Sequence, residues 1–350
     1  MTSDDLNLDK ILESRLKASQ VVVVEAEEDS GYVPLPLRNL KTDAVIPFEV
    51  YLKIKDKKDP QAQFVRVCPP GEVFQSKWRS NLLTLKVPWV YFRSQDTVQV
   101  QEYLNRNLET ILADHDMPAR KKAALVYDVT LLWVRHFFLH EQERTGQHLE
   151  LALNHVDNLL RLIHQEQTQS SFVLDLWQYD QGLYTHSLNT CLLGLAFVSC
   201  LKWPPNQVRD FGLGALLHDI GMIQIPAAIL RKPAKLSKEE EELIHKHPFQ
   251  GFQILKKFSI LRSEILHMVL QHHENGDGSG YPDRLQFPKI HPWARILRIL
   301  DSYEALTAAR SWRSAFAPKD ALWIMREEWE KSLHFDQKYL SSFIKFLAAT

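Results

Sequence analysis

The stretch His272-His273-Glu274-Asn275-Gly276-Asp277-Gly278-Ser279-Gly280-Tyr281-Pro282 sets two adjacent imidazoles and a glycine-rich turn between long segments of helical pattern. Working outward, His247 comes before it, then the pair His218-Asp219, then His186, and Asp301 follows it. Each falls on or at the end of a segment in which apolar residues recur at three- and four-residue spacing, as they do on a helix face that packs on a core. Leu188 to Leu201 is apolar nearly all round, which predicts a buried helix. Pro205 can open the next one, running to about Asp219. Ser237 and Glu240 have the spacing of a capping box, and Pro248 predicts a break after His247. Leu261 to Glu274, Pro292 to Ala309, Asp320 to Lys331 and Asp336 to Ala348 complete a helical half.

Two more helical patterns, Arg120 to His140 and Thr145 to Thr168, precede it, and before them the period changes. Phe48, Val50, Leu52 and Ile54 alternate as on a strand, Phe64 to Val67 follows, Pro69-Pro70-Gly71 makes a turn, and Pro88 to Phe92 reads as another strand. A helix over Asp96 to Ala113 closes this part. The expected fold is α+β overall, a small N-terminal α+β module followed by an all-α helical bundle. The expected division is an N-terminal segment over 1–30, the module over 31–116, connecting helices over 117–170 and the bundle over 171–350.

Composition narrows the function classes. The 350 residues are 45% apolar and 24% charged with formal net charge −1, so no overall basic field invites a nucleic acid polymer or an anionic membrane. The acidic start, and an apolar stretch from Cys191 to Leu201 far short of the ~20 residues of a membrane span, predict a cytoplasmic protein. Three cysteines without CxxC spacing suggest neither a disulfide framework nor a thiolate zinc site. Histidine, at 15 residues, is the type to follow.

A lone histidine on a helix is more often a satisfied side chain than a ligand, and ten of the fifteen read as structural. Adjacent His-His and His-Asp pairs in one helical bundle are harder to explain by packing, because burying several ionisable groups without partners is costly. Neighbours on a helix point about 100° apart, so His218-Asp219 can give one group to one ion and the other to a position between two ions. A carboxylate can bridge two cations and a neutral imidazole cannot.

The segment His218-Asp219-Ile220-Gly221, continued by Ile225-Pro226 and Ile229-Leu230-Arg231-Lys232-Pro233, resembles the HD motif and following loop of the HD-GYP family. His247-Pro248-Phe249-Gln250-Gly251 resembles its HPxxG element, and the stretch 272–282 its naming motif. Ala294-Arg295-Ile296 leading to Asp301 completes a resemblance that covers roughly Gln178 to Ser314. It implies an HD-type bundle in which His186, His218, Asp219 and Asp301 surround one metal. Asp219 bridges to a second metal held by His247, His272 and His273. Such imidazole and carboxylate ligands suit iron or manganese, with zinc left open.

The resemblance further implies a phosphodiesterase that hydrolyses cyclic di-GMP to pGpG, with GMP as a further product, through a metal-bridging hydroxide at His218 and Asp219. Gly280, Tyr281 and Pro282 would line the substrate pocket, and Arg310 and Arg313 would clamp phosphate. A protein partner would dock on the N-terminal module or the Gly-Tyr-Pro loop, with the oligomeric state open. Three positions depart from the family pattern. Met222 stands where a lysine usually completes HDxGK, Gly182 where three-metal members carry a glutamate, and Glu304 where an aspartate is common. Gly182 implies two ions rather than three. Met222 supports an alternative of another class, a receptor that binds cyclic di-GMP with weakened turnover and signals through protein contacts. A phosphohydrolase for another nucleotide is disfavoured by the intact Tyr281-Pro282.

Overall fold

The computed structural model describes residues 19–21, 31–56, 62–165, 182–230, 232, 234–309 and 313–349. Most of the expected N-terminal segment 1–30 lies outside them. The chain divides into two compact units, Met1–Val129 and Thr130–Thr350.

The first unit is built on an antiparallel sheet of β1 (Ser19–Val21), β2 (Tyr32–Pro36), β4 (Val50–Asp56), β5 (Ala62–Cys68) and β7 (Trp89–Arg93). The short strands β3 (Ala44–Val45) and β6 (Val73–Phe74) pair separately. β4 is the hub, bonded to β5, β1 and β7, with β2 beyond β7. Phe48, Val50, Leu52 and Ile54 are all buried, as their alternation predicts. Tyr51, from the opposite face, is buried by rings: Tyr32 meets it edge-on at 4.9 Å and stacks on Phe64 at 4.0 Å. Helices α1 (Ser76–Thr84) and α2 (Thr97–Ala113) complete the module. The sequence reading predicts the second and misses the first, whose two buried apolar residues, Trp78 and Leu82, are diluted by Lys77, Arg79, Ser80 and Asn81. Helix α3 (Ala119–Leu139) runs through the division between the units.

The second unit is helical throughout. Its centre is α5 (Leu183–Cys200), buried almost continuously from Thr185 to Val198. Around it pack α4 (Gly146–Gln165), α6 (Pro205–Leu217), α11 (Pro292–Thr307) and α13 (Gln337–Ala348). Thus α4, read from sequence as part of a connector, lies against α5 and α6. A 3-10 turn (Ile220–Gln224) leads to α7 (Ala227–Leu230), α8 (Lys238–Ile244), α9 (His247–Leu255) and α10 (Ser263–Gln271); α12 (Pro318–Ser332) packs on α11.

The local signals act where they stand. Pro205, Pro292 and Pro318 open α6, α11 and α12, where a missing N–H leaves no helical bond unmade. The predicted capping box forms at α8: the Glu240 N–H donates to Ser237 Oγ (3.3 Å) and the Ser237 N–H to Glu240 Oε2 (2.7 Å). Pro248 falls in the first turn of α9, so the break lies between Ile244 and His247, before His247 and not after it as expected, because a proline in a first turn costs no helical bond. No helix of the described residues is long and apolar enough to cross a membrane.

Candidate metal centre

Five helices bring the predicted ligands to one place. His186 lies in the first turn of α5, His218 at the C-cap of α6 with Asp219 next to it, and His247 opens α9. His272 caps α10, with His273 following, and Asp301 lies within α11. Gly221 lets the 3-10 turn after Asp219 seat on α9. A Cβ there would sit 2.0 Å from the His247 carbonyl oxygen and 2.6 Å from the Gly251 nitrogen. The turn and α9 can therefore approach only through glycine, and that approach carries Asp219 to His247.

The two oxygens of Asp219 face different sets of imidazoles. Oδ1 is 3.1 Å from His247 Nε2 and 3.6 Å from His272 Nε2. Oδ2 is 3.6 Å from His218 Nε2 and 3.7 Å from His186 Nε2. His186 Nε2 in turn is 3.0 Å from Asp301 Oδ1. Ligand-capable atoms thus gather into two overlapping groups, Asp219 with His247, His272 and His273, and His186 with His218 and Asp219, each within 4.8 Å and sharing the aspartate. Asp301 adjoins the second group through His186.

The imidazoles are held by their far nitrogens. His218, His247 and His272 each set Nδ1 against the carbonyl one turn back, Ala215 (2.8 Å), Ile244 (2.8 Å) and Val269 (2.7 Å). A carbonyl can only accept, so Nδ1 carries a proton, and in the neutral ring Nε2 then presents its lone pair inward, the tautomer a metal needs. His186 differs, because its Nδ1 makes a very short contact with the carboxylate of Glu304. Glu304 is itself buried and accepts from Asn189 Nδ2 at 3.0 Å.

These residues fit divalent cations. His218 Nε2 is fully buried and finds no hydrogen-bond partner among the described residues. Asp219, Asp301 and Glu304 are three buried carboxylates around His186, an arrangement costly without balancing positive charge. The donors are nitrogen and oxygen with no thiolate, which suits iron, manganese or zinc.

The electrostatics agree. Burial pushes the Asp219 carboxyl up, but His218, His247 and His272 outweigh it and hold the group well below the usual carboxylate range. Asp301 is likewise raised by burial and brought down further by His186 and His273. Burial pushes His272 down to about 4 and, with His272 beside it, keeps His273 well below its ordinary value. Burial also lowers His186, but Glu304 and Asp301 reverse this and draw positive charge to that side. Ionised carboxylates beside imidazoles kept from charging, as at His272 and His273, are the state in which such groups coordinate.

The glycine-rich loop closes one side. Gly280 is packed so tightly that a Cβ would lie 2.4 Å from both the Asn275 nitrogen and the His273 oxygen. This places Tyr281 on the His273 ring, with centroids 4.7 Å apart, ahead of the cis Tyr281–Pro282 bond. His245, read from sequence as structural, stacks on the other face of Tyr281 at 3.9 Å. Glu274, missed as an individual, is buried and accepts from the Asp283 and Leu285 N–H groups (2.7 and 2.8 Å), tying the loop shut.

Arg313, expected to clamp phosphate, is engaged at the end of α11. Arg313 donates to the carbonyls of Ala305 (2.7 Å), Leu306 (3.0 Å), Ala308 (3.4 Å) and Ser314 (2.9 Å), and its guanidinium lies over the Phe316 ring. Carbonyls at a helix end carry partial negative charge and attract a cation, so this guanidinium caps α11. Arg310 lies outside the described residues. Met222 sits in the 3-10 turn, its N–H donating to the Asp219 carbonyl at 2.9 Å.

Comparison with known proteins places this geometry. Residues 178–339 match the HD domain family model. A cyclic di-GMP phosphodiesterase of Pseudomonas aeruginosa is 36% identical over 166 residues, 47% of this chain and 39% of the relative. The cyclic di-GMP phosphodiesterase response regulator RpfG of Xanthomonas campestris is 38% identical over 117 residues, 33% of this chain and 31% of the relative. A 3'3'-cGAMP-specific phosphodiesterase of Vibrio cholerae is 38% identical over 125 residues, 35% of this chain and 23% of the relative. The chain thus spans less than half the length of these curated relatives. The solved structure of Bd1817, an HDG"Y"P protein from Bdellovibrio bacteriovorus, shares the fold with a TM-score of 0.67 at 19% identity, over 91% of this chain and 99% of that one. The ordered motifs gathered at one centre, on residues that match the HD domain, make the C-terminal unit similar to HD-GYP proteins.

Proposed function

We propose that the helical unit binds two divalent ions, iron or manganese, and hydrolyses cyclic di-GMP. One ion would be held by His186, His218, Asp219 and Asp301, the other by Asp219, His247, His272 and His273. The observation that carries this reading is the division of the Asp219 carboxylate, one oxygen toward each set of imidazoles. Bound there, such ions supply Lewis-acid charge and a nucleophilic water at neutral pH.

The chain's own groups do the rest. The backbone carbonyls and Glu304 hold His186, His218, His247 and His272 with Nε2 inward. The ring ladder of His273, Tyr281 and His245 gives the centre a flat wall suited to a nucleobase or ribose beside the scissile phosphate. In the reaction, water's oxygen joins phosphorus, the ester bond to the ribose 3'-oxygen breaks, and that oxygen takes up a proton. The product is linear pGpG. The relatives named as phosphodiesterases of cyclic dinucleotides support this substrate class.

Met222 favours a second reading, a receptor that binds the dinucleotide and turns it over slowly, because a thioether cannot donate to a phosphate oxygen. Incubating metal-analysed protein with cyclic di-GMP and scoring binding and pGpG release separately tests both. Metal-dependent release of pGpG supports the enzyme. Tight binding without release supports the receptor, and neither binding nor release overturns both.

A further inference from the structure

Helix α11 carries three guanidinium groups at or near it that behave differently. Arg295 commits all three of its nitrogens, donating to the Ile290 carbonyl (2.7 Å), the Pro288 carbonyl (2.8 Å) and Asp336 Oδ2 (3.2 Å). Arg313 is spent on the carbonyls at the helix end. Arg298 is not. Its Nε donates to Asn275 Oδ1 at 3.2 Å and its Nη1 to Ser302 Oγ at 2.8 Å, while Nη2 has no hydrogen-bond partner among the described residues.

This group is nonetheless fixed. Its side chain is only 19% exposed, its guanidinium lies 5.5 Å over the Phe335 ring, and Nη1 stands 4.0 Å from Asp301 Oδ2. Arg298 lies one turn before Asp301 on the same helix face, and Asn275 ties it to the glycine-rich loop. A cation pinned by two hydrogen bonds and a ring, half of whose fork is uncommitted, is prepared for an anion. Arg295, by contrast, has a bond at each of its three nitrogens.

We propose that Arg298 contacts a phosphate oxygen of the phosphodiester at this centre, and so supplies the fixed cation that Met222 does not. The inference rests on the proposed phosphodiesterase reading for its site, but not on the identity of the dinucleotide. The guanidinium fork matches phosphate oxygens in a bidentate way. Being held in place before the reaction, it stabilises charge that grows on those oxygens as the bond breaks. Loss of one such donor typically costs roughly 10²- to 10³-fold in rate.

The test compares wild type with Arg298→Gln and Arg298→Lys at equal metal loading on two substrates, cyclic di-GMP and bis(4-nitrophenyl) phosphate. It adds calorimetric binding of inorganic phosphate to the metal-loaded proteins. The expected result is a fall of roughly 10²-fold or more in kcat/KM on both diesters for Arg298→Gln, with metal content unchanged. Partial recovery is expected in Arg298→Lys, and phosphate should bind at least several-fold more weakly to Arg298→Gln. Kinetic constants and phosphate affinity within twofold of wild type would overturn the assignment. So would a loss that only follows loss of metal, since Arg298 would then merely brace Asp301. A wild type that cleaves the generic diester but neither binds nor cleaves cyclic di-GMP would remove the substrate reading, and the generic diester would still decide Arg298. For a protein that cleaves neither, phosphate binding decides it.

Discussion

Glu304→Gln changes one buried atom and separates the two metal positions. Glu304 accepts at both oxygens, from His186 Nδ1 and from Asn189 Nδ2. A glutamine of the same shape keeps one acceptor, gains a donor and loses the charge. With Asn189 as it stands it satisfies only one of these partners, and with the Asn189 amide turned it still leaves His186 without the carboxylate that raises its basicity as a ligand. If its amide oxygen stays on Asn189, its NH2 meets the His186 Nδ1–H, two donors face each other, and one buried donor goes unpaired at about 1–3 kcal/mol. If His186 instead accepts from the amide, its proton moves to Nε2 and the lone pair needed for a metal is lost. Either outcome weakens the position of His186, His218, Asp219 and Asp301. Removing such an outer hydrogen-bond partner costs roughly 10- to 100-fold in metal affinity, about 1.4–2.7 kcal/mol. At the other position His247 and His272 are held by backbone carbonyls, and it should be unchanged. Equilibrium dialysis at buffered free Mn²⁺, read by elemental analysis, should show one midpoint displaced by that factor and one unmoved. Two unmoved midpoints would refute the claim that Glu304 prepares His186.

Asp219→Ala should lose both ions in the same dialysis, because its carboxylate serves both groups, whereas His186→Ala should chiefly weaken one; two tightly bound ions in both variants would show the grouping to be wrong. Arg313→Met should lower stability by about 1–3 kcal/mol in chemical denaturation, through carbonyls left without their cation, and leave metal content intact. His155 is buried with both ring nitrogens unpartnered among the described residues, and burial pushes it down to about 4. The unfolded chain's histidine titrates near 6.5, so the unfolded state binds the proton first; stability due to neutral His155 is full above that value and falls as pH drops toward 4, by ~3 kcal/mol in all. His155→Leu should therefore flatten this decline, measured as the wild-type minus variant difference in unfolding free energy at pH 7, 5.5 and 4.5; a difference independent of pH would refute it.

The helical half was legible because its signals are local. Pro205 and Pro292 at first-turn positions and the Ser237–Glu240 box mark helix starts without help from the rest of the chain. The ligands were legible as adjacent pairs and ordered motifs, whose chemistry is hard to assign to packing. What supports them was less so. Glu304 and Asn189 each lie one turn along the helix from a ligand, Asp301 and His186, and so share its face; that spacing was a signal, but only their packing shows that the two meet at His186. What engages Arg313 was not legible, because a sequence does not show that the carbonyls ending α11 compete with a phosphate for its guanidinium. Arg298 carried no motif, and its position beside Asp301 and the loop emerges only when α11 is laid against Asn275. In the first unit, alternation found the strand hub, but α1 has too few apolar residues to announce itself.

The account turns on two metal positions bridged by one aspartate. Anomalous diffraction from crystals of the manganese- or iron-loaded protein tests this most directly. The predicted result is two peaks flanking the Asp219 carboxylate, one among His186, His218 and Asp301 and the other among His247, His272 and His273. A single peak, or peaks that leave Asp219 uncoordinated, would contradict it.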